Sequence, residues 1–221
     1  MNVTDKITIT NEDNMQLMAR YPNNYFDLAI VDPPYGGNDA IGLKDNKKEG
    51  KQAAKRTNYK VFNNIEPTKE YFEELMRVSK HQIIWGVNFY NNFNLSGGRI
   101  CWDKKGTAFG RAELAYYSGS KSVSIFEYTW NGMLQQDMQN KEIRIHPTQK
   151  PRQLYNFLLD NYTKEGDKIL DTHLGSGSIA LAAHDRGLEL VACELDIDYY
   201  NDAIKRINNY TAQLTIFDAG A

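Results

Sequence analysis

The stretch KILDTHLGSGSIALAAHDRGLELVACELD, Lys168 to Asp196, decides the fold. Lys168 to Leu170 is a short strand by its apolar run, and Ile179 to Arg186 has helical spacing and is closed by Gly187. Glu189 to Cys193 reads as a second strand. Between strand and helix lies Asp171-Thr172-His173-Leu174-Gly175-Ser176-Gly177-Ser178. Small residues there let a ligand approach the backbone, and a helix N-terminus offers free N–H donors. Such a loop suits a nucleoside-bearing ligand. Glu194, 17 residues past Gly177, is placed to accept hydrogen bonds from ribose hydroxyls. A plain tight turn followed by a helix start would use the same residues. The absence of Gly-Lys-Ser/Thr argues against a phosphate-cradling loop, whereas Gly175-x-Gly177-x-x-Ala180 fits a loose dinucleotide fingerprint and keeps a nicotinamide oxidoreductase open.

Outward from this unit, Arg152 to Tyr162 reads as a helix before it and Asp196 to Tyr210 as a long helix after it. Towards the N-terminus the pattern is strand, turn, helix at Ile7 to Met18, then an apolar strand at Phe26 to Val31. A helix near Pro67 to Ser79 and strands at Gln82 to Trp85, Arg99 to Trp102 and Glu113 to Tyr117 follow. Strands alternating with helices predict a largely parallel sheet covered on both faces. At 221 residues and 41% hydrophobic content, one domain spanning 1–221 is expected, with two departures from regularity. Residues 36–60 form a Lys-rich loop, and 118–145, polar and without a clear period, form a small insertion.

The Phe26 to Val31 strand ends abruptly at Asp32-Pro33-Pro34-Tyr35, because proline lacks the donor a central strand requires. An aromatic amine is a poor nucleophile whose lone pair is tied up in its ring. Acceptors on its two N–H groups would pull the nitrogen towards a tetrahedral shape. Asp32 provides one acceptor and the carbonyl of Pro33, held at a fixed angle by Pro34, provides another. Tyr35 supplies a flat face on which a base stacks. Such a site suits a methyl group already activated as a sulfonium, which needs desolvation and aim more than acid–base chemistry.

In this order, Asp32 to Tyr35 first, His146-Pro147-Thr148-Gln149-Lys150-Pro151 next and Asp171 to Ser178 last, the chain resembles the β-group of DNA amino-methyltransferases, which make N(6)-methyladenine or N(4)-methylcytosine. The resemblance covers nearly the whole chain. It implies an α/β, Rossmann-like fold using S-adenosylmethionine, with a mostly parallel seven-stranded sheet, helices on both faces and a circularly permuted motif order. It implies that Asp32, Pro33, Pro34 and Tyr35 grip the amine and stack the base. Asp171, His173, Gly175, Ser176 and Gly177 would wrap the methionine part of the cofactor, and Glu194 would hold its ribose. Thr148 and Lys150 would lie beside the cofactor's carboxylate, or else form a capped helix start before Pro151. Asp13 would meet the cofactor's adenine amine, or else cap the following helix. Trp85-Gly86-Val87-Asn88-Phe89, and the stretch from Trp102 through Lys104 and Phe109 to Glu113, match segments near the target pocket, with a core role for their aromatics as the competing reading. Thr172-His173 replaces the family's common Pro-Phe.

The expected reaction is site-specific methylation of adenine N(6) in double-stranded DNA, within a restriction-modification or related role. Asp before Pro-Pro-Tyr is what leans towards adenine. Cytosine N(4) is the alternative, with RNA or a protein amide more distant. A catalytically silent DNA-binding protein of the same fold and an NAD-dependent oxidoreductase are the competing classes. The basic loop would clamp phosphates and the 118–145 insertion would read sequence; its small size predicts a short or relaxed target. A net charge of −2 leaves the partner open. Cys101, Cys193 and the four histidines have no ligand spacing, so no zinc site and a reducing, cytoplasmic setting are expected. Neither a signal segment nor a membrane span is expected. The sequence leaves the oligomeric state open, a homodimer included.

Overall fold

The computed structural model describes residues 2–36, 64–106, 110–131 and 134–218, with side chains up to 212. The basic loop therefore lies outside the described residues except for Gly36, as does Phe109.

The regular part of the sequence folds as its periodicity dictates. The elements are β1 (Ile7–Asn11), α1 (Asn14–Met18), β2 (Phe26–Val31), α2 (Lys69–Val78), β3 (Ser79–Trp85), β4 (Gly98–Asp103), β5 (Ala112–Tyr117), β6 (Val123–Glu127), α3 (Arg152–Tyr162), β7 (Lys168–Asp171), α4 (Ser178–Asp185), β8 (Glu189–Glu194) and α5 (Ile197–Asp218). They build one sheet in the order β1-β8-β7-β2-β3-β5-β4-β6. The five strands from β1 to β3 are parallel, β5 runs antiparallel to β3 and β4, and β6 is parallel to β4.

Two apolar layers cover the sheet. On one face, Leu154, Leu158 and Leu159 of α3, Ile179 to Ala183 of α4, and Ala203 and Ile207 of α5 pack on Ile7, Ile9, Leu28, Ile30, Ile169 and Leu190. On the other, Leu17 and Met18 of α1 and Tyr71, Phe72, Leu75 and Val78 of α2 pack on Phe26, Ala29, Val31, Ile84 and Leu170. Strands buried on both faces read as continuous apolar runs, which is how Leu28-Ala29-Ile30-Val31 looks in the sequence.

The expected seven strands become eight. The addition, β6, lies inside the 118–145 segment read as a small insertion without a clear period. It is an edge strand whose Val123 and Ile125 are 67% and 63% exposed, so its apolar side faces outward and no buried period marks it. The reading of Thr148 and Lys150 as a helix cap also fails. The N-cap of α3 is Pro151, with no side-chain cap bond.

The connections place the site. From β7 the chain runs through α4 to β8 on one side, and from β2 through α2 to β3 on the other. The connections leaving adjacent β2 and β7, registered Leu28 to Ile169 and Ala29 to Leu170, thus part in opposite directions at the strands' carboxyl ends. That crevice is the topological switch point where open α/β sheets bind ligands.

Candidate active site

A cavity of about 580 Å³ opens at the switch point, within the roughly 300–1,000 Å³ of small-molecule sites. Its wall brings together Asp13, Asp32, Pro33, Pro34, Tyr35, Thr148, Lys150, His173, Gly175, Ser176 and Glu194. Of the residues singled out from sequence, Asp171 and Gly177 stand behind it. Asp171 ends β7 at 2% exposure and accepts from the His173 N–H at 2.9 Å. Burial pushes its carboxyl up to about 8, against that hydrogen bond. Gly177 starts α4 at φ 72°, and a Cβ there would meet Ile207 Cδ1 at 3.0 Å, so it lets α5 close on the loop.

At one end, Glu194 ties the glycine loop to β8. Its Oε2 accepts from the Gly175 N–H at 2.9 Å and its Oε1 from the Asp196 N–H at 3.0 Å. Each oxygen keeps a second lone pair for a ligand. Asp13 is the N-cap of α1, its Oδ1 accepting from the Met15 and Gln16 N–H groups, so the capping role is real. Its side chain still lines the cavity. His173 is held by Asn14 Nδ2 at 3.2 Å on Nε2 and Thr172 Oγ1 at 2.9 Å on Nδ1. Burial pushes its imidazole down to about 3, so the ring is neutral. It meets Tyr71 edge-on at 5.4 Å, doing with an imidazole what an apolar ring would do there. The loop is braced from behind by Arg206, which donates to Ser176 O and Ser178 Oγ and pairs with Glu142 at 2.7 Å.

At the other end the tetrapeptide is fully engaged. Asp32 Oδ1 accepts from the Tyr35 hydroxyl at 2.7 Å and Oδ2 from Lys150 Nζ at 2.6 Å. Lys150 also lies 3.2 Å from the Tyr35 hydroxyl and 3.0 Å from Glu113 Oε2. Glu113 Oε1 in turn pairs with Lys104. Burial works against the Lys150 charge, but Asp32 and Glu113 outweigh it and hold its ammonium above the ordinary lysine range. Burial likewise opposes the Glu113 charge, and Lys150 and Lys104 outweigh it, taking its carboxyl down to about 2. Lys150, expected beside a cofactor carboxylate, therefore reaches the tetrapeptide from 118 residues away.

The Pro33 carbonyl accepts from the Tyr90 hydroxyl at 2.9 Å, which fixes the peptide plane. The Tyr35 ring stacks on Phe89 at 4.7 Å and 9°. Gly86, at φ 76°, leaves room for it: a Cβ would sit 2.2 Å from Tyr35 Cε1. Within the 85–89 string the roles divide. Trp85 is core at 0% exposure, while Phe89, 43% exposed, backs the Tyr35 ring.

Sequence reasoning missed Tyr71, Tyr155 and Tyr199, which line the cavity from the buried faces of α2, α3 and α5 and whose spacing signals only core. It also missed Glu66, whose Oε1 is buried without a hydrogen-bond partner. His146 and Gln149 stood within the quoted His146 to Pro151 string. Burial takes the His146 imidazole down to about 4, with Arg144 and Lys150 adding to it, and its ring meets Tyr199 edge-on at 4.3 Å.

Comparison with known proteins agrees with this geometry. A family model described as DNA methylase, of the N6/N4 methyltransferase kind, matches residues 102–205. The Type II methyltransferase M2.DpnII of Streptococcus pneumoniae is 36% identical over 78 residues, 35% of this chain and 29% of that protein. M2.LlaDCHI of Lactococcus lactis subsp. cremoris is 34% identical over 122 residues, 52% of this chain and 44% of that protein. The chain thus spans less than half the length of these two curated relatives. Among solved structures, the cytosine-N4-specific PvuII DNA methyltransferase superposes with a TM-score of 0.58 at 14% identity, covering 93% of this chain and 92% of that one; at such identity the likeness speaks for the Rossmann-like fold alone. Over the matched segment, which runs from Trp102 through the His146 to Pro151 string, the glycine loop and Glu194 and is just under half of the chain, the protein is similar to the N6/N4 DNA methyltransferase family.

Proposed function

We propose that the protein transfers a methyl group from S-adenosylmethionine to the exocyclic amine of a base in DNA, with adenine N(6) as the target. One observation carries this reading: the Asp32 carboxylate and the Gly175–Glu194 loop face a single cavity at the switch point. The charge of that cavity supports the cofactor. Among the described lining residues, Glu12, Asp13, Asp32, Glu66, Glu194 and Asp196 are acidic, Lys150 is the lone lysine and no arginine is present. Lys150 is already paired with Asp32 and Glu113, and the two histidines are held neutral. An acid-rich cavity favours a cationic ligand and disfavours the two phosphates of a nicotinamide dinucleotide.

In this reading Asp13 and Glu194 receive the cofactor's adenine amine and ribose hydroxyls, while Gly175 and Ser176 follow its methionine part. Bound there, the cofactor supplies a methyl group on a sulfonium. The chain's own contribution is aim. Asp32 holds one donor on each oxygen and the Pro33 carbonyl holds one, and both keep lone pairs to accept the two amine N–H groups. The amine is thereby held between two fixed acceptors at the cavity mouth, and the Tyr35–Phe89 stack provides the apolar wall for the base. A base in a duplex reaches this mouth only when flipped, at the cost of a few kcal/mol of unstacking. The basic 36–60 loop is proposed to grip phosphates and the 118–145 segment to read a short or relaxed target.

The Asp that opens the tetrapeptide is the basis for choosing adenine over cytosine. The test is transfer of labelled methyl from S-adenosylmethionine into unmodified duplex DNA, followed by nucleoside mass spectrometry. Methyladenine formed by the wild type and lost in Asp32→Ala is the expected result. Methylcytosine would keep the mechanism and replace the substrate; cofactor binding without methylation of any DNA would overturn the reading in favour of a silent DNA binder.

A further inference from the structure

We propose that Glu113 is a positioning residue of this site: from β5 it shares the Lys150 ammonium with Asp32, so that Lys150 aims the Asp32 carboxylate without being drawn wholly onto it. The inference rests on the amine-gripping role of Asp32 given above.

The geometry is a line of alternating charges. Asp32 and Glu113 flank Lys150 at 2.6 and 3.0 Å, and Lys104 closes the far side of Glu113 while lying over Trp102 at 4.6 Å. Lys150 is 5% exposed, so water does not screen the line at its centre. Its contact with Glu113 Oε2 is an ion pair outside good hydrogen-bond alignment, whereas the bond to Asp32 Oδ2 is short. Glu113 thus acts through charge and distance and never touches the amine. The groups facing Lys150 are Asp32 and Tyr35 from the loop after β2, Glu113 from β5, Tyr155 from α3 and Asp171 at the end of β7, with His146 on its own segment. Of these, Asp32 and Glu113 supply the compensation for its charge.

Neutralising Glu113 leaves Lys104 and Lys150 as neighbouring cations with no charge between them, and Asp32, on the far side of Lys150, as the carboxylate that Lys150 still pairs with. Lys150 then collapses onto Asp32 and loses its proton at lower pH. Loss of one opposite charge at this range shifts a buried group by about 1–3 pH units. Removing Lys104 as well takes away the extra cation and reverses much of that shift.

The experiment compares wild type, Glu113→Gln, Glu113→Asp and the double variant Glu113→Gln/Lys104→Met. Methyl transfer to unmodified duplex DNA is followed from neutral to alkaline pH, S-adenosylmethionine affinity is measured by calorimetry, and the Lys150 Cε resonance, assigned by its loss in Lys150→Met, is titrated by NMR. Expected are a slower Glu113→Gln enzyme whose alkaline limb moves down, unchanged cofactor affinity, recovery of the limb in the double variant, and a Glu113→Asp limb that stays with wild type. A uniform loss of rate with the limb unmoved, or cofactor affinity falling in step with rate, overturns the proposal. If Glu113→Gln does not fold, the double variant and Glu113→Asp carry the comparison. If the wild type methylates no DNA, the proposed function fails separately, and an unmoved Lys150 titration still decides against Glu113.

Discussion

Replacing Lys150 with methionine tests the centre of the site by a route that needs no substrate. Methionine keeps the length and apolar packing of the side chain and removes the charge. Among the described residues, Asp32 and Glu113 are then left with Lys104 as the one cation paired with either, and Lys104 reaches Glu113 alone. Breaking a buried ion pair from one side costs about 3–5 kcal/mol. Because the Asp32 and Glu113 side chains keep 16% and 25% of their exposure, a loss of about 2–4 kcal/mol is expected, against a total of about 5–15 kcal/mol for a folded domain. The pH dependence gives the sharper check. Glu113 is held near 2 in the folded protein against an ordinary 4.5, so its contribution is present in full above pH 4.5 and fades as pH falls towards 2. Lys150→Met removes part of that depression, so the stability gap between wild type and variant should be widest near neutral pH and close on acidification. Groups that do not feel the Lys150 charge cancel in the difference, while His146, relieved of that charge in the variant, takes up its proton more readily and narrows the gap further on acidification. Urea unfolding of both proteins at neutral and acidic pH measures it. A gap below about 0.5 kcal/mol at neutral pH, where surface substitutions fall, or a gap that does not change with pH, would refute the charge-line account.

Two further outcomes follow from the same geometry. Gly86→Ala forces φ 76° on a residue with a Cβ and puts that carbon 2.2 Å from Tyr35 Cε1; strain of about 1–2 kcal/mol and overpacking of about 1–3 kcal/mol should lower the Tm by several degrees and release Tyr35 from Asp32. An unchanged Tm would show that the ring is not packed as described. On acidification below 6.5 the unfolded chain takes up protons that the neutral His146 and His173 refuse until about 4 and about 3. Stability is therefore lost in that window by up to about 1.4 kcal/mol per pH unit for each histidine. Stability-versus-pH curves from chemical unfolding should be shallower for His173→Phe, whatever its absolute stability, and identical slopes would count against a neutral buried His173.

Legibility in the sequence followed the range of the interaction. Helical and strand periods are local, so the α3 bounds, Arg152 to Tyr162, can be read directly. β6 could not be, because an edge strand with Val123 and Ile125 turned to solvent has no buried period. Asp13 shows both of its readable possibilities at once, a cap that also lines the cavity. The residues that aim the site were out of reach for a different reason. Tyr90 to Pro33 spans 57 positions and Lys150 to Asp32 spans 118, and the contacts exist only once strand order is known. Strand order also explains why the permuted motif order does no harm to the geometry. Asp32 leaves β2 and Asp171 ends β7, and these strands are neighbours whose following helices, α2 and α4, pack on opposite faces. Two loops at the carboxyl ends of such a pair must flank one crevice whichever comes first in the chain. The position of each loop relative to its own strand is local and readable; that the two strands are adjacent is not. The register of Leu28 with Ile169 is what sets the two strands side by side.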